Sequence, residues 1–98
     1  MKKKTAQKKL VLTDEEKKKI VEAMYSTWQY IGSDAMQVEA ENGHNSISAS
    51  DMVGWVTDGG YMQDKNAMKI IDRVFDHYAG YNKALAYLAK LLPAKRYS

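Results

Sequence analysis

The longest helix of the chain is predicted from residues 20 to 38, the segment "IVEAMYSTWQYIGSDAMQV". It carries an apolar stripe at spacings of 3, 4, 3, 4 and 3 residues, made of Val21, Met24, Trp28, Ile31, Ala35 and Val38. The stripe keeps its phase across Gly32-Ser33-Asp34, although that triplet is typical of a helix end followed by a new cap. Because a glycine inside a helix costs only about 1 kcal/mol relative to alanine, the pattern predicts one helix over residues 14 to 41, bent or weakened near Gly32.

Capping signals set the limits of this helix. Thr13 followed by Glu16 forms a capping-box pattern, and the acids between them favour the positive end of the helix dipole. Asn42-Gly43 is expected to end the helix. The same pair is also a strong hairpin signal that would place Val38 opposite Ile47, although the flanking residues are poor strand formers.

The second half of the chain predicts shorter helices. Ser48 or Ser50 would cap a helix over residues 50 to 57, and Asp58-Gly59-Gly60 would end it. Asp64 would cap the next helix, whose buried face is expected to contain Met68, Ile71, Val74, Phe75 and Tyr78.

A glycine and a proline punctuate the C-terminal region. Gly80 is expected to be the C-terminal glycine of the third helix, with Tyr81 folded back over its last turn. A last helix would follow over residues 82 to 92 and stop at Pro93. One bent helix over residues 64 to 92 is the alternative.

These elements predict an all-α fold. The expected architecture is a small helical bundle in which the long N-terminal helix packs against a C-terminal helical arm, with a short helix between them. Residues 1 to 12 are expected to be a disordered basic arm, 13 to 93 a single helical domain and 94 to 98 a frayed basic tail. The stripe of Val21, Met24, Trp28 and Ile31 is compatible with packing inside the monomer or against a second copy.

The net charge of +3 hides three blocks of alternating sign. Residues 1 to 19 hold eight lysines and three acids, a net +5. Residues 20 to 64 hold seven acids and no Lys or Arg, and residues 65 to 98 hold seven basic and two acidic residues. Blocks of this kind act on partners and association rates rather than on the fold.

Several classes of function have no support in the sequence. The chain has no cysteine, which removes disulfides, thiolate metal sites and cysteine nucleophiles. Glu41 and His44 have the Glu-x-x-His spacing of di-iron bundles but lack the second pair that such a site needs. We therefore expect no enzyme, no cofactor, no metal and no membrane span, and a cytoplasmic location.

Two binding hypotheses remain. In the first, a larger protein binds the acidic, aromatic middle of the chain, so the chain would act as an adaptor, regulator, inhibitor or assembly component. Its candidate anchors are Trp28, Tyr30, Trp55 and Tyr61. In the alternative, nucleic acid binds the basic ends. Its candidates are Lys2, Lys3, Lys4, Lys8, Lys9, Lys65, Asn66, Lys69, Arg73, Lys95 and Arg96. A DNA-reading helix-turn-helix is disfavoured because the connection from about Asp58 to Gln63 is too long.

Overall fold

A computed structural model describes residues 10–44, 46–58 and 60–92. Four helices lie in these ranges: α1 (Asp14–Glu41), α2 (Ala49–Thr57), α3 (Lys65–His77) and α4 (Tyr81–Lys90). No strand occurs in the described ranges, which confirms the small all-α bundle. The hairpin alternative is wrong, because Asn42 caps the C-terminus of α1 and Gly43 turns the chain with φ 88°.

The long helix α1 runs without interruption, as the phase of its stripe predicts. Thr13 and Glu16 form the expected capping box, with the Glu16 N–H donating to Thr13 Oγ1 at 3.0 Å and the Thr13 N–H donating to Glu16 Oε1 at 2.9 Å. Gly32 lies in the middle of the helix, beneath the indole ring of Trp28. A Cβ atom added at Gly32 would lie 3.2 Å from that ring. The glycine therefore makes room for a tryptophan and does not end the helix.

Packing between helices follows the amphipathic faces. Helix α1 packs against α2 and α3, and α4 also packs against α2 and α3. Ile20, Met24, Met52, Ile71 and Leu88 are among the largest fully buried side chains. The core therefore takes apolar side chains from all four helices.

The buried face of α1 differs slightly from the predicted stripe. Val38 is 41% exposed, whereas Ile20 and Ala23 are buried. The stripe repeats every 3.5 residues and a straight helix every 3.6, so the stripe drifts around the helix by about 20° per heptad. Its central members, Met24, Trp28 and Ile31, are buried within the monomer, and Val21 packs on the same core. In this structure the stripe is therefore not a free surface for a second copy.

The predicted starts of α2 and α3 are observed. Ser48 caps α2 by accepting from the Asp51 N–H at 3.1 Å, and Asp64 caps α3 by accepting from the Ala67 N–H at 3.0 Å. In α3, Ile71 and Val74 are fully buried. The other three predicted members of its buried face, Met68, Phe75 and Tyr78, pack against the core with part of their surface exposed.

The prediction for Gly80 is wrong. Gly80 has an extended conformation with φ −114° and is the N-cap of α4, while α3 already ends at His77. The extended backbone at Tyr78 also rules out one bent helix over residues 64 to 92. Tyr81 begins α4, and its ring stacks on Phe75 with centroids 5.6 Å apart. Pro93, the predicted stop, lies outside the described residues.

Residues 10 to 12, which the sequence assigns to the arm, lie against the domain instead. Leu12 is buried and Leu10 packs on the core. The Val11 carbonyl accepts a hydrogen bond from Arg73 Nη2 at 3.4 Å. The two leucines remove apolar surface from water, which favours this docking. None of the described helices is both long enough and apolar enough to cross a membrane.

Candidate functional site

An open groove of about 440 Å³ lies between the C-terminal end of α1, the exposed side of α2 and the start of α4. We call it the acidic groove. It is lined by Glu39, Ser50, Asp51, Gly54, Trp55, Asp58, Tyr61, Tyr81 and Leu85. Its volume lies within the range of about 300 to 1,000 Å³ that is typical of ligand pockets.

The periodicity of α2 creates one wall of this groove. Met52, Val53 and Val56 point into the core and are fully buried. Residues three and four positions apart share a helix face. Asp51 and Trp55 therefore follow one another along the opposite side of α2, where they line the groove. Asp58, the residue that caps the end of α2, also lines it.

Glu39 contributes a carboxylate that two neighbours hold in place. Its Oε2 accepts a hydrogen bond from the Trp55 indole Nε1 at 3.0 Å, and its Oε1 lies 2.5 Å from His44 Nδ1. The hydrogen bonds from His44 and then from Trp55 lower the pKa of Glu39 below its ordinary value. Glu39 is therefore ionised at neutral pH, and it fixes the orientation of the indole.

Aromatic side chains form much of the remaining lining. Tyr61 is 43% exposed and Tyr81 is 56% exposed, while Trp55 is half-buried. Gly54 leaves space between α2 and α4. A Cβ atom there would lie 3.8 Å from the Tyr81 hydroxyl and 3.9 Å from Leu85 Cδ1. An alanine side chain at position 54 would therefore make ordinary van der Waals contact with these two residues of α4.

The charge of the groove has one sign. Glu39, Asp51 and Asp58 supply three carboxylates, and no Lys, Arg or His is among the described residues that line it. Aromatic faces and carboxylates both attract cations. Within the described residues, no group of three His, Cys, Asp or Glu side chains is arranged to hold a metal ion. The combination of aromatic rings and carboxylates in the lining suits an organic cation, such as an ammonium or guanidinium group.

A second hollow of about 620 Å³ lies between α1 and the segment that precedes α3. Its lining carries both signs of charge, and Lys19 Nζ lies 3.4 Å from Asp64 Oδ2 there. Tyr30 lines this hollow, and Tyr61 lines both this hollow and the acidic groove. Tyr61 is therefore a wall that the two concavities share.

The structure brings together three of the four aromatic residues predicted to bind protein. Trp55 and Tyr61 line the acidic groove, and Tyr30, which is 78% exposed, lies in the hollow beside it. Trp28 is 9% exposed and packs in the core, so it offers little surface to a partner. Sequence reasoning did not find Glu39 or Tyr81. The excess of acids in residues 20 to 64 was the available signal for Glu39, and no local signal places Tyr81 at the groove.

The candidates for nucleic-acid binding are more dispersed. Lys65, Asn66 and Lys69 are exposed on α3. Arg73 is engaged elsewhere, with its Nη1 donating to Glu16 Oε2 at 2.6 Å. The other candidates, Lys2, Lys3, Lys4, Lys8, Lys9, Lys95 and Arg96, lie outside the described residues. Helices α2 and α3 make at most weak contact with each other, unlike the two packed helices of a helix-turn-helix.

Comparisons of this chain with family models, with curated proteins and with solved structures gave no match.

Proposed function

We propose that this chain is a non-enzymatic binding module whose acidic groove takes a basic segment of a larger protein. One observation carries the proposal. Three carboxylates and three aromatic side chains meet in one groove of about 440 Å³, and no basic side chain is among its described lining residues.

A lysine or arginine side chain matches this lining in both of its parts. Its aliphatic stem packs on the faces of Trp55, Tyr61 and Tyr81, and its charged head meets a carboxylate. The hydrogen bond from Trp55 to Glu39 already fixes one aromatic and one acidic member of the groove. A preformed site lowers the entropic cost of ordering side chains on binding.

The charge of the surrounding region supports a basic protein as the partner. Residues 20 to 64 carry seven acids and no Lys or Arg. A negative field of this kind increases the association rate of a positively charged partner and opposes the approach of phosphate groups. The groove is therefore better suited to a lysine-rich or arginine-rich protein segment than to nucleic acid.

Calorimetric titration with a short peptide of alternating lysine and alanine tests this proposal, with a glutamate–alanine peptide as the negative control. The variants Asp51→Asn and Asp58→Asn each remove one charge from the groove. We expect each to weaken binding of the lysine peptide by about twofold to fivefold, as removal of one exposed ion pair typically does. The full chain should not bind the glutamate peptide.

Asp34→Asn is the matched control. Asp34 is an exposed acid on α1 that does not line the groove, so this variant changes the net charge equally. We expect it to leave the affinity unchanged. An equal loss of affinity in all three variants would mean that net charge alone attracts the peptide. If the lysine peptide binds neither the full chain nor any variant, the proposal is wrong.

Nucleic-acid binding is the competing function, and the exposure of Lys65, Asn66 and Lys69 on α3 favours it. Fluorescence anisotropy of labelled oligonucleotides over a salt series tests it. Phosphate contacts would give a steep salt dependence, with a log–log slope of about one unit per contact. The double substitution Lys65→Gln and Lys69→Gln should then reduce that slope. A lack of oligonucleotide binding at low salt would remove this function.

A further inference from the structure

We infer that the N-terminal lysine segment of this chain, residues 1 to 9, binds the acidic groove of the same molecule when no partner is present. The segment would then compete with a basic partner for the groove. This inference rests on the proposed function in one respect, namely that the acidic groove binds basic protein segments.

The charges of the segment and of the groove are complementary. Residues 1 to 9 contain five lysines and no acid. The other three lysines of the N-terminal block, at 17, 18 and 19, are balanced by the three acids at 14, 15 and 16. The whole +5 of that block therefore belongs to the lysine segment, while the groove offers three carboxylates.

The residues that directly follow the lysine segment have a defined position on the domain. Leu10 and Leu12 pack on the core, and the Val11 carbonyl accepts from Arg73 Nη2 at 3.4 Å. Arg73 also donates to Glu16 at 2.6 Å, so its guanidinium is held from two sides. The segment therefore leaves the domain beside the second half of α3.

That point lies within reach of the groove. Arg73 precedes Phe75 by two residues on α3, the Phe75 ring stacks on Tyr81 at 5.6 Å, and Tyr81 lines the groove. From bond lengths and helix geometry, the links from Val11 through Arg73 and Phe75 to Tyr81 together span at most about 25 Å. Nine extended residues span about 30 Å. Residues 1 to 9 can therefore reach the near edge of the groove on their own molecule.

A tethered segment competes effectively even when each of its contacts is weak. A short linker gives its attached ligand an effective concentration in the millimolar range. We therefore expect neutralisation of the segment to increase the affinity of the groove for an added lysine peptide by about threefold to tenfold at low salt. The gain should shrink as salt screens the exposed charges.

Paramagnetic relaxation in the full-length chain tests the contact directly. The chain has no cysteine, so Thr5→Cys provides a single site for a nitroxide label and keeps all five lysines of the segment. We expect the label to broaden the indole N–H signal of Trp55, which faces the groove, much more than that of the buried Trp28. The broadening should disappear when Asp51→Asn and Asp58→Asn are combined, and it should persist in Asp34→Asn.

Equal broadening of both indole signals, or broadening that the groove substitutions do not change, would overturn the inference. A mixed sample distinguishes contact within one molecule from contact between two molecules. It contains isotope-labelled chain without nitroxide and nitroxide-labelled chain without isotope, so only contact between molecules can broaden the observed signals. If Trp55 is broadened as strongly in this mixture as within one molecule, the segment comes from a second copy and the intramolecular contact is wrong.

The lysine peptide distinguishes failure of this inference from failure of the proposed function. It is titrated into a full-length variant in which Lys2, Lys3, Lys4, Lys8 and Lys9 are all replaced by glutamine. Unchanged affinity would overturn the inference and leave the proposed function intact. If relaxation detects the intramolecular contact but no added peptide binds either chain, the inference holds and the function as a partner-binding module fails.

Discussion

A glutamate lies near each end of α1, and the two glutamates differ in the charge of their hydrogen-bond partners. Both oxygens of Glu16 have partners, since Oε1 accepts from the Thr13 N–H and Oε2 from Arg73. Both oxygens of Glu39 also have partners, namely His44 and Trp55. The partner of Glu16 is a permanent cation that cancels its charge. Glu39 is held by the neutral indole of Trp55 and by an imidazole that is charged only when it is protonated, and it faces an open groove.

This difference separates an end of α1 that stabilises the fold from the end that we propose binds a partner. At the start of α1, the carboxylate completes a capping box and an ion pair, and its surroundings are electrically balanced. At the end of α1, the same chemical group holds a tryptophan in place and adds its negative charge to those of Asp51 and Asp58. The two glutamates therefore have similar hydrogen bonding but different surroundings. The start of α1 is neutralised by an ion pair, and the end of α1 has a negative surface that suits a cation.

The largest expected effect on the free energy of unfolding comes from Trp28, which lies between the two ends of α1. Trp28→Ala should reduce the free energy of unfolding by about 3 to 5 kcal/mol, because it removes a large buried side chain and leaves a cavity above Gly32. Urea unfolding followed by circular dichroism measures it. Tyr30→Ala, at an exposed position two residues away, should change the stability by less than about 0.5 kcal/mol. Equal effects of the two substitutions would contradict the burial of Trp28.

A smaller effect on stability is expected from removing the N-cap side chains of α1 and α2. Thr13→Ala and Ser48→Ala should each cost about 1 kcal/mol of stability, because each leaves a backbone N–H at a helix start without its side-chain acceptor. Urea unfolding measures both. Only Ser48→Ala should also weaken binding of a lysine peptide, since α2 carries Asp51 and Trp55. Equal losses of peptide affinity in both variants would argue against a groove built on α2.

The smallest effect is the pH dependence of the two carboxylates. Hydrogen bonds from Thr13 and Arg73 lower the pKa of Glu16, and those from His44 and Trp55 lower the pKa of Glu39. A lowered folded-state pKa stabilises the fold above the ordinary value of 4.5, and this contribution is lost as the pH falls through the folded-state value. Urea unfolding at pH 6 and pH 3 should therefore show a smaller acid loss in Glu16→Gln and in Glu39→Gln than in the unmodified chain.

The affinity for the lysine peptide at pH 6 should respond differently to substitution of the two glutamates. Glu39→Gln removes a groove charge and should weaken binding of the lysine peptide, whereas Glu16→Gln should leave it unchanged. If both substitutions weaken peptide binding equally, the functional contrast between the two ends of α1 is wrong.

Local chemistry was sufficient to predict much of the fold. The stripe that crosses Gly32 predicted α1, and side-chain caps at Thr13, Ser48 and Asp64 predicted where three helices begin. Such signals depend on residues within a few positions of each other. They failed at Gly80, where the contact of Tyr81 with Phe75 accompanies an extended link between α3 and α4. The position of Tyr81 over the last turn of α3 agrees with the prediction. The extended link from Tyr78 to Gly80 depends on tertiary packing, which the local pattern does not contain.

The candidate groove was less predictable for the same reason. Acid and aromatic content in residues 20 to 64 indicated the character of the surface, but the groove also needs Tyr81 and Leu85 from α4. Residue type alone did not distinguish Trp28 from Trp55 either. Trp28 is buried because Gly32 leaves space for its ring, whereas Trp55 lies opposite the buried face of α2.

The length of α1 has a consequence for how changes at its ends combine. Its 28 residues form one helix of about 42 Å, and Glu16 and Glu39 are about 35 Å apart along it. This separation is several times the screening length of about 8 Å at physiological ionic strength. Substitutions at the two ends share no partners, so their effects on the free energy of unfolding should add in the double variant. The uninterrupted helix thus makes its two ends energetically independent sites.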